Sequence, residues 1–135
     1  MMQLMVHPSD DLPIYRQIMR QIVEAIAGGR VRRGDKIASH RELAEQLVVA
    51  PLTVKKAYDE LELLGYLETQ RGRGTFVSAR PPKARPAEQR DSLRAAARKL
   101  LSEAYLGGLR FQDAEEILRE ADREITGGRR DKEAS

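Results

Sequence analysis

A mainly α-helical fold with one small β-hairpin is predicted from three observations on the 135-residue sequence. Apolar residues recur at helical spacing in five segments. Hydrophobic residues make up 41% of the chain while aromatics are only 4% and Trp is absent, which favours a core of Leu, Ile, Val and Ala on helix faces. Only two short runs, residues 66–69 and 75–78, have β-prone composition, and a glycine-rich loop separates them. Charged residues reach 33%, above the roughly 25% of an average domain, so much of the chain is solvent-facing helix surface.

Pro13 opens the first helix, whose inner face carries Ile14, Ile18, Ile22 and Ile26 at four-residue spacing, and Gly28-Gly29 stops it. His7 falls in the segment before it, expected to be a loose N-terminus. A basic loop over residues 30–36 follows. Ser39 stands three residues before Glu42, the spacing of a capping box, and starts a short helix with Leu43, Ala44 and Leu47 inward. Residues 48–50 read as a tight turn or a buried strand stub. Pro51 suits the first position of the next helix, with Val54, Ala57, Tyr58, Leu61 and Leu64 inward, and Gly65 ends it. The hairpin comes next, with Gln70-Arg71-Gly72-Arg73-Gly74 as its loop. Two helices joined by a turn of three or four residues make a helix-turn-helix; the hairpin adds a wing.

Pro81, Pro82 and Pro86 place three prolines in six residues, a composition that suits a linker. Beyond it, Leu93, Ala97, Leu100 and Ala104 share one face of a helix over residues 88–107, reinforced by Ala96 and Leu101. Gly107-Gly108 breaks it, and a second helix carries Ala114, Ile117, Leu118, Ala121 and Ile125. Two helices of this size cannot complete a core alone, because units below about 40 residues usually need a staple or a partner. The stripe is expected to meet its own copy in a homodimer, through Leu93, Ala97, Leu100, Leu101, Ala104, Ile117, Leu118 and Ala121. The expected organisation is a winged helix-turn-helix over 1–78, a Pro-rich linker over 79–88, a two-helix dimerisation module over 89–127 and a flexible tail over 128–135.

Several classes of function are excluded. An α/β barrel enzyme needs roughly 250 residues. With no cysteine there is no disulfide, thiolate zinc site or cysteine nucleophile. The two histidines lie 33 positions apart and belong to no metal-ligand spacing. The Arg-Gly-Arg-Gly loop lacks the Lys-Ser/Thr of a phosphate-binding loop. No catalytic residue, metal or cofactor is therefore expected. No apolar run approaches the ~20 residues that cross a bilayer. The N-terminal residues lack a basic-then-apolar signal pattern, so a cytoplasmic protein without a membrane partner is expected.

The net charge of +3 says little by itself, but its local distribution does more. Residues 30–41 hold Arg30, Arg32, Arg33, Lys36 and Arg41 against Asp35 alone, and Arg71, Arg73 and Arg80 form a second cluster. The second helix of a helix-turn-helix offers its N-terminal residues to the major groove of DNA, where base edges are distinguishable. Thr53 and Lys55 lie there, off the core stripe, with Pro51 and Leu52 at the tip. Leu52 suits a thymine methyl, and Lys55 and Lys56 suit guanine edges or phosphate.

The segments Pro13-Ile14-Tyr15-Arg16-Gln17-Ile18, Gly34-Asp35-Lys36-Ile37, Ser39-His40-Arg41-Glu42-Leu43-Ala44, Thr53-Val54 and Gly72-Arg73-Gly74-Thr75-Phe76-Val77 resemble, in order, the GntR family of bacterial winged-helix transcription regulators. The tail resembles the small dimerisation module of its YtrA-like subfamily. The resemblance implies that Ser39 and Arg41, in the motif begun by Ser39, are DNA-binding residues, with Arg41 approaching DNA. It also implies that Arg71, Gly72 and Arg73 form a wing tip entering the minor groove, where arginine is favoured. It further implies a homodimeric repressor on a near-palindromic double-stranded operator, controlling a transporter operon; no small-molecule effector is implied by any residue.

Four residues depart from the family pattern. Ala38 replaces the usual proline before Ser39, and Val48 stands where a turn glycine is common, putting a β-branched residue at a left-handed site. Ala50 replaces a polar cap, and Leu52 a polar contact. Plainer roles compete at several positions. Arg41 has the spacing to pair with Glu45, and Lys55 and Lys56 with Asp59 and Glu60. The arginine-glycine loop is also an ordinary turn. The competing function is a winged-helix architectural or protein-interaction module without sequence specificity.

Overall fold

The computed structural model describes residues 2–80, 82 and 86–128. They form α1 (Ile14–Ala27), β1 (Lys36–Ile37), α2 (His40–Leu47), α3 (Pro51–Leu63), β2 (Leu67–Gln70), β3 (Gly74–Val77), α4 (Pro86–Leu106) and α5 (Phe111–Thr126). The chain divides into two compact units, Met1–Pro82 and Lys83–Ser135.

In the first unit α1, α2 and α3 pack around Ile18, Ile22, Leu43, Val54, Leu61 and Val77, all of them buried. Each such side chain contributes about 1.5–3 kcal/mol by leaving water. Ser39 caps α2 as its spacing predicts: its hydroxyl accepts the Glu42 N–H at 3.1 Å, and the Glu42 carboxylate accepts the Ser39 N–H. Pro51 opens α3, where Ala50 provides no side-chain cap. Gly65, at φ +91°, lets the chain reverse so that the Tyr66 N–H reaches back to the Leu61 carbonyl. Buried Tyr58 donates its hydroxyl to the Ala38 carbonyl at 2.7 Å, fastening α3 to the entrance of α2.

The sheet is antiparallel, in the order β1-β3-β2. Strand β1 was not expected: two residues carry no alternation, and the sequence reads there as basic loop. The hairpin strands are shifted against the predicted runs. Gln70 and Gly74 pair, so the loop shortens to Arg71-Gly72-Arg73, while Tyr66 stays outside β2 yet still accepts from the Ser78 N–H. Leu64 is not inward: it caps α3 and is 53% exposed.

The segment ahead of α1 is not loose. Buried Gln17 accepts the His7 N–H at 2.8 Å and donates to the carbonyls of His7 and Leu12 at 2.9 and 2.7 Å. One turn on, Gln21 exchanges two hydrogen bonds with the Met5 backbone, at 2.9 and 2.6 Å. The segment is thereby strapped along the helix, and Leu4 and Val6 pack on the core.

Val48 makes the turn between α2 and α3 with φ 56° and ψ 51°, and its side chain is 89% exposed. A β-branched residue in this region is strained by roughly 1–2 kcal/mol, and here no packing compensates. Replacing it with glycine removes the strain at the cost of some unfolded-state entropy. Val48→Gly is expected to raise stability by about 1 kcal/mol, read as a higher urea midpoint at an unchanged slope.

In the second unit Pro86 occupies the first position of α4, where a missing N–H costs nothing, so the helix begins before the predicted residue 88. The rest of the expected linker is only partly visible: residues 81 and 83–85 lie outside the described residues, as does the expected tail from 129 onward. The two helices meet through Ala104 and Ala114, both buried. The Leu109 N–H bonds the Ala104 carbonyl in the turn, and Asp113 accepts the Arg110 N–H at 2.7 Å at the start of α5.

Candidate nucleic-acid interface

Helices α2 and α3 are joined by residues 48–50, and this short turn presents the N-terminus of α3 to solvent. Pro51 and Leu52 are exposed there, Leu52 to 78%, and Thr53 is half-buried with its N–H on the Ala50 carbonyl. A large apolar side chain left in water at a helix tip has no role in this unit's own core.

The lysines behind it are engaged within the chain. The Lys55 ammonium lies 2.8 Å from the Asp59 carboxylate, and that hydrogen bond holds its pKa above the ordinary lysine value. Both groups are more than half exposed, so the pair is weak and exchangeable. The Lys56 ammonium sits 4.2 Å from the centre of the Tyr15 ring on α1. Arg16 donates to the Tyr15 hydroxyl, which lowers the phenol's pKa.

Arg41 is exposed on the first turn of α2 and makes no ion pair with Glu45 among the described residues. Ser39 spends its hydroxyl on the cap. Arg71, Gly72 and Arg73 form the exposed tip of the wing, with Gly72 at φ +76°. Among the described residues no carboxylate pairs with either arginine. The α3 tip and the wing are thus two solvent-facing features of one compact unit, the first mixed apolar and polar, the second cationic.

The second unit leaves a broad apolar face in water. Leu93 is 61% exposed and Leu118 56%; Ala97 and Ile117 are also exposed, Leu100, Leu101 and Ala121 are half-buried, and Ala104 is turned into the contact with α5. Tyr105, Leu106, Leu109 and Phe111, not among the predicted contact residues, are exposed as well, with Leu106 on the opposite side of α4 from Leu93 and Leu100. Their signal was present as four large apolar residues flanking Gly107-Gly108.

Among the described residues no cluster of three or more His, Asp and Glu is placed to hold a metal, and no helix is long and apolar enough to cross a membrane. A helix-turn-helix followed by a cationic β-wing defines a DNA-binding protein of the winged-helix class. The sequence signature described as "Bacterial regulatory proteins, gntR family" matches residues 14–77. The chain is 33% identical over 127 residues to the HTH-type transcriptional repressor YtrA of Bacillus subtilis, covering 94% of this chain and 98% of that one. It is similar in structure to a Listeria monocytogenes protein described as a transcriptional antiterminator, at TM-score 0.74 and 30% identity over 93% of this chain and 94% of that one. The DNA-binding domain of AraR, solved in complex with operator ORX1, superposes at TM-score 0.50 with 34% identity, covering 56% of this chain and 93% of that one. The chain belongs to the GntR family of bacterial transcriptional regulators, and it is a DNA-binding regulator, not an enzyme.

Proposed function

We propose that the protein is a homodimeric repressor that recognises a near-palindromic operator, each winged unit taking one half-site. The observation that carries this reading is the pairing, in one unit, of an exposed α3 N-terminus with a wing whose two arginines have no acidic partner among the described residues. Pro51, Leu52, Thr53 and Lys55 face base edges in the major groove, and Lys55 exchanges Asp59 for DNA. Arg41 and Lys56 flank them, Ser39 fixes the helix that carries Arg41, and Arg71-Gly72-Arg73 enters the minor groove. The exposed apolar face of α4 and α5 supports the homodimer, since a second copy would cover it and set two half-sites about one helical turn apart. The kinship with YtrA supports repression, and the subfamily resemblance supports a transporter operon as the target. The AraR domain bound to its operator supports the DNA-facing assignment of the same elements.

Selection from a random duplex pool at ~150 mM salt, where phosphate-only affinity is suppressed, tests the reading. A two-fold-symmetric motif should be enriched. A flat pool, with binding that vanishes as salt rises, would mean an architectural or protein-binding module and overturn it.

A further inference from the structure

Lys36 lies in β1 opposite Phe76 of β3, on the solvent side of the sheet, because its neighbour Ile37 points into the core. Two residues toward the wing tip on that same side of β3 is Gly74. A Cβ placed on Gly74 would lie 2.8 Å from the Lys36 Cε and 3.5 Å from its Nζ. The lysine stem therefore runs flat over bare backbone, toward the tip. Gly74 has φ +124°, a conformation that side-chain-bearing residues rarely adopt, so the backbone itself demands glycine there and the Lys36 stem lies over the space it leaves.

This placement fixes where the charge goes. The ammonium lies beside the residue that directly follows Arg73, two residues back from the apex at Gly72, at most about 7 Å at the ~3.3 Å rise of extended chain. Glu68 shares the outer side of the sheet, opposite Phe76, yet no carboxylate pairs with Lys36 among the described residues. A minor groove is ~7.5 Å deep and walled by phosphates, so a tip that enters it brings a cation set this far back level with the wall.

We propose that Lys36 is a phosphate-binding residue of the wing, gripping the DNA backbone beside the minor groove that Arg71 and Arg73 enter, with its stem laid over Gly74. The inference rests on the DNA-facing reading of the wing. Its contact is electrostatic and blind to sequence, so it serves affinity and not base choice.

The test is Lys36→Gln in the full chain, titrated against the selected operator and a random duplex of equal length from 50 to 300 mM salt. Affinity should fall several-fold on both duplexes alike, leaving their ratio unchanged. The slope of log affinity against log salt should shrink by about one per protomer engaged. Lys36→Arg should restore the slope. An unchanged slope and affinity in Lys36→Gln, with an unaltered melting curve, would overturn the proposal. So would a loss confined to the operator, which would make Lys36 a base-reading residue. Should the wild-type chain bind random DNA as well as any selected site, the regulator reading falls by itself, and a slope lowered by Lys36→Gln on the random duplex still supports the phosphate contact.

Discussion

Gln17→Leu is expected to destabilise the first unit by about 2–4 kcal/mol, with two backbone groups losing their partner at ~1–3 kcal/mol for each one left buried. The leucine matches the glutamine in size, so the side chain remains packed while the His7 N–H and the Leu12 carbonyl lose their bonds and the His7 carbonyl keeps only the Asp10 N–H, at 3.0 Å. Peeling the segment into water would satisfy those groups, but it would also expose Leu4 and Val6. Either route costs stability. Urea denaturation gives the magnitude, and amide exchange at residues 5–12 distinguishes peeling from strain. A midpoint unchanged from wild type would show that the strap contributes nothing to the fold.

Leu118→Glu should convert the proposed dimer to monomer at micromolar concentration and weaken operator binding by 100-fold or more. Leu118 is 56% exposed in the single chain, so a carboxylate there can stay in water in the monomer and acts mainly on whatever covers the face. Burying an unpaired carboxylate between two copies is costly enough to hold them apart. A separated monomer keeps its own half-site contacts and forfeits the intramolecular second engagement, typically worth about 10²–10⁴ in affinity. Light scattering and an operator titration on the same sample read both effects. A variant that stays dimeric with full affinity would move the interface away from α5.

The order of elements in the first unit was legible because α1 to α3 repeat apolar residues over several turns and carry their own punctuation in Pro13, Ser39, Pro51 and Gly65. What escaped was whatever lacked a period. Strand β1 is held by β3 and has no pattern of its own. The strap depends on two polar side chains meeting backbone ten and sixteen residues away, a pairing that no local rule anticipates. Leu64 continued the α3 stripe by spacing, but the helix had already ended. At the candidate interface, the exposure of Leu52, Arg41 and the wing agrees with their sequence setting. The engagement of Lys55 with Asp59 fits i,i+4 spacing, whereas the Lys56 contact with Tyr15 depends on how α1 and α3 pack. Lys36 was visible as part of a basic cluster; only the register of β1 against β3 separates it from its neighbours.

The strap shows how a helix can imitate the edge of a sheet. Four residues of helix advance about 6.0 Å at 1.5 Å each. Two residues of extended chain advance about 6.6 Å. Gln17 and Gln21 match His7 and Met5 because these repeats are nearly commensurate, each amide offering a donor and an acceptor as a neighbouring strand would. The mismatch grows by about 0.6 Å with each further pair, so a flexible amide can absorb it over two or three turns but not over a long ladder. A glutamine at every fourth position is thus a portable device for fastening a short extended peptide, of almost any side-chain sequence, to a helix that has no strand beside it.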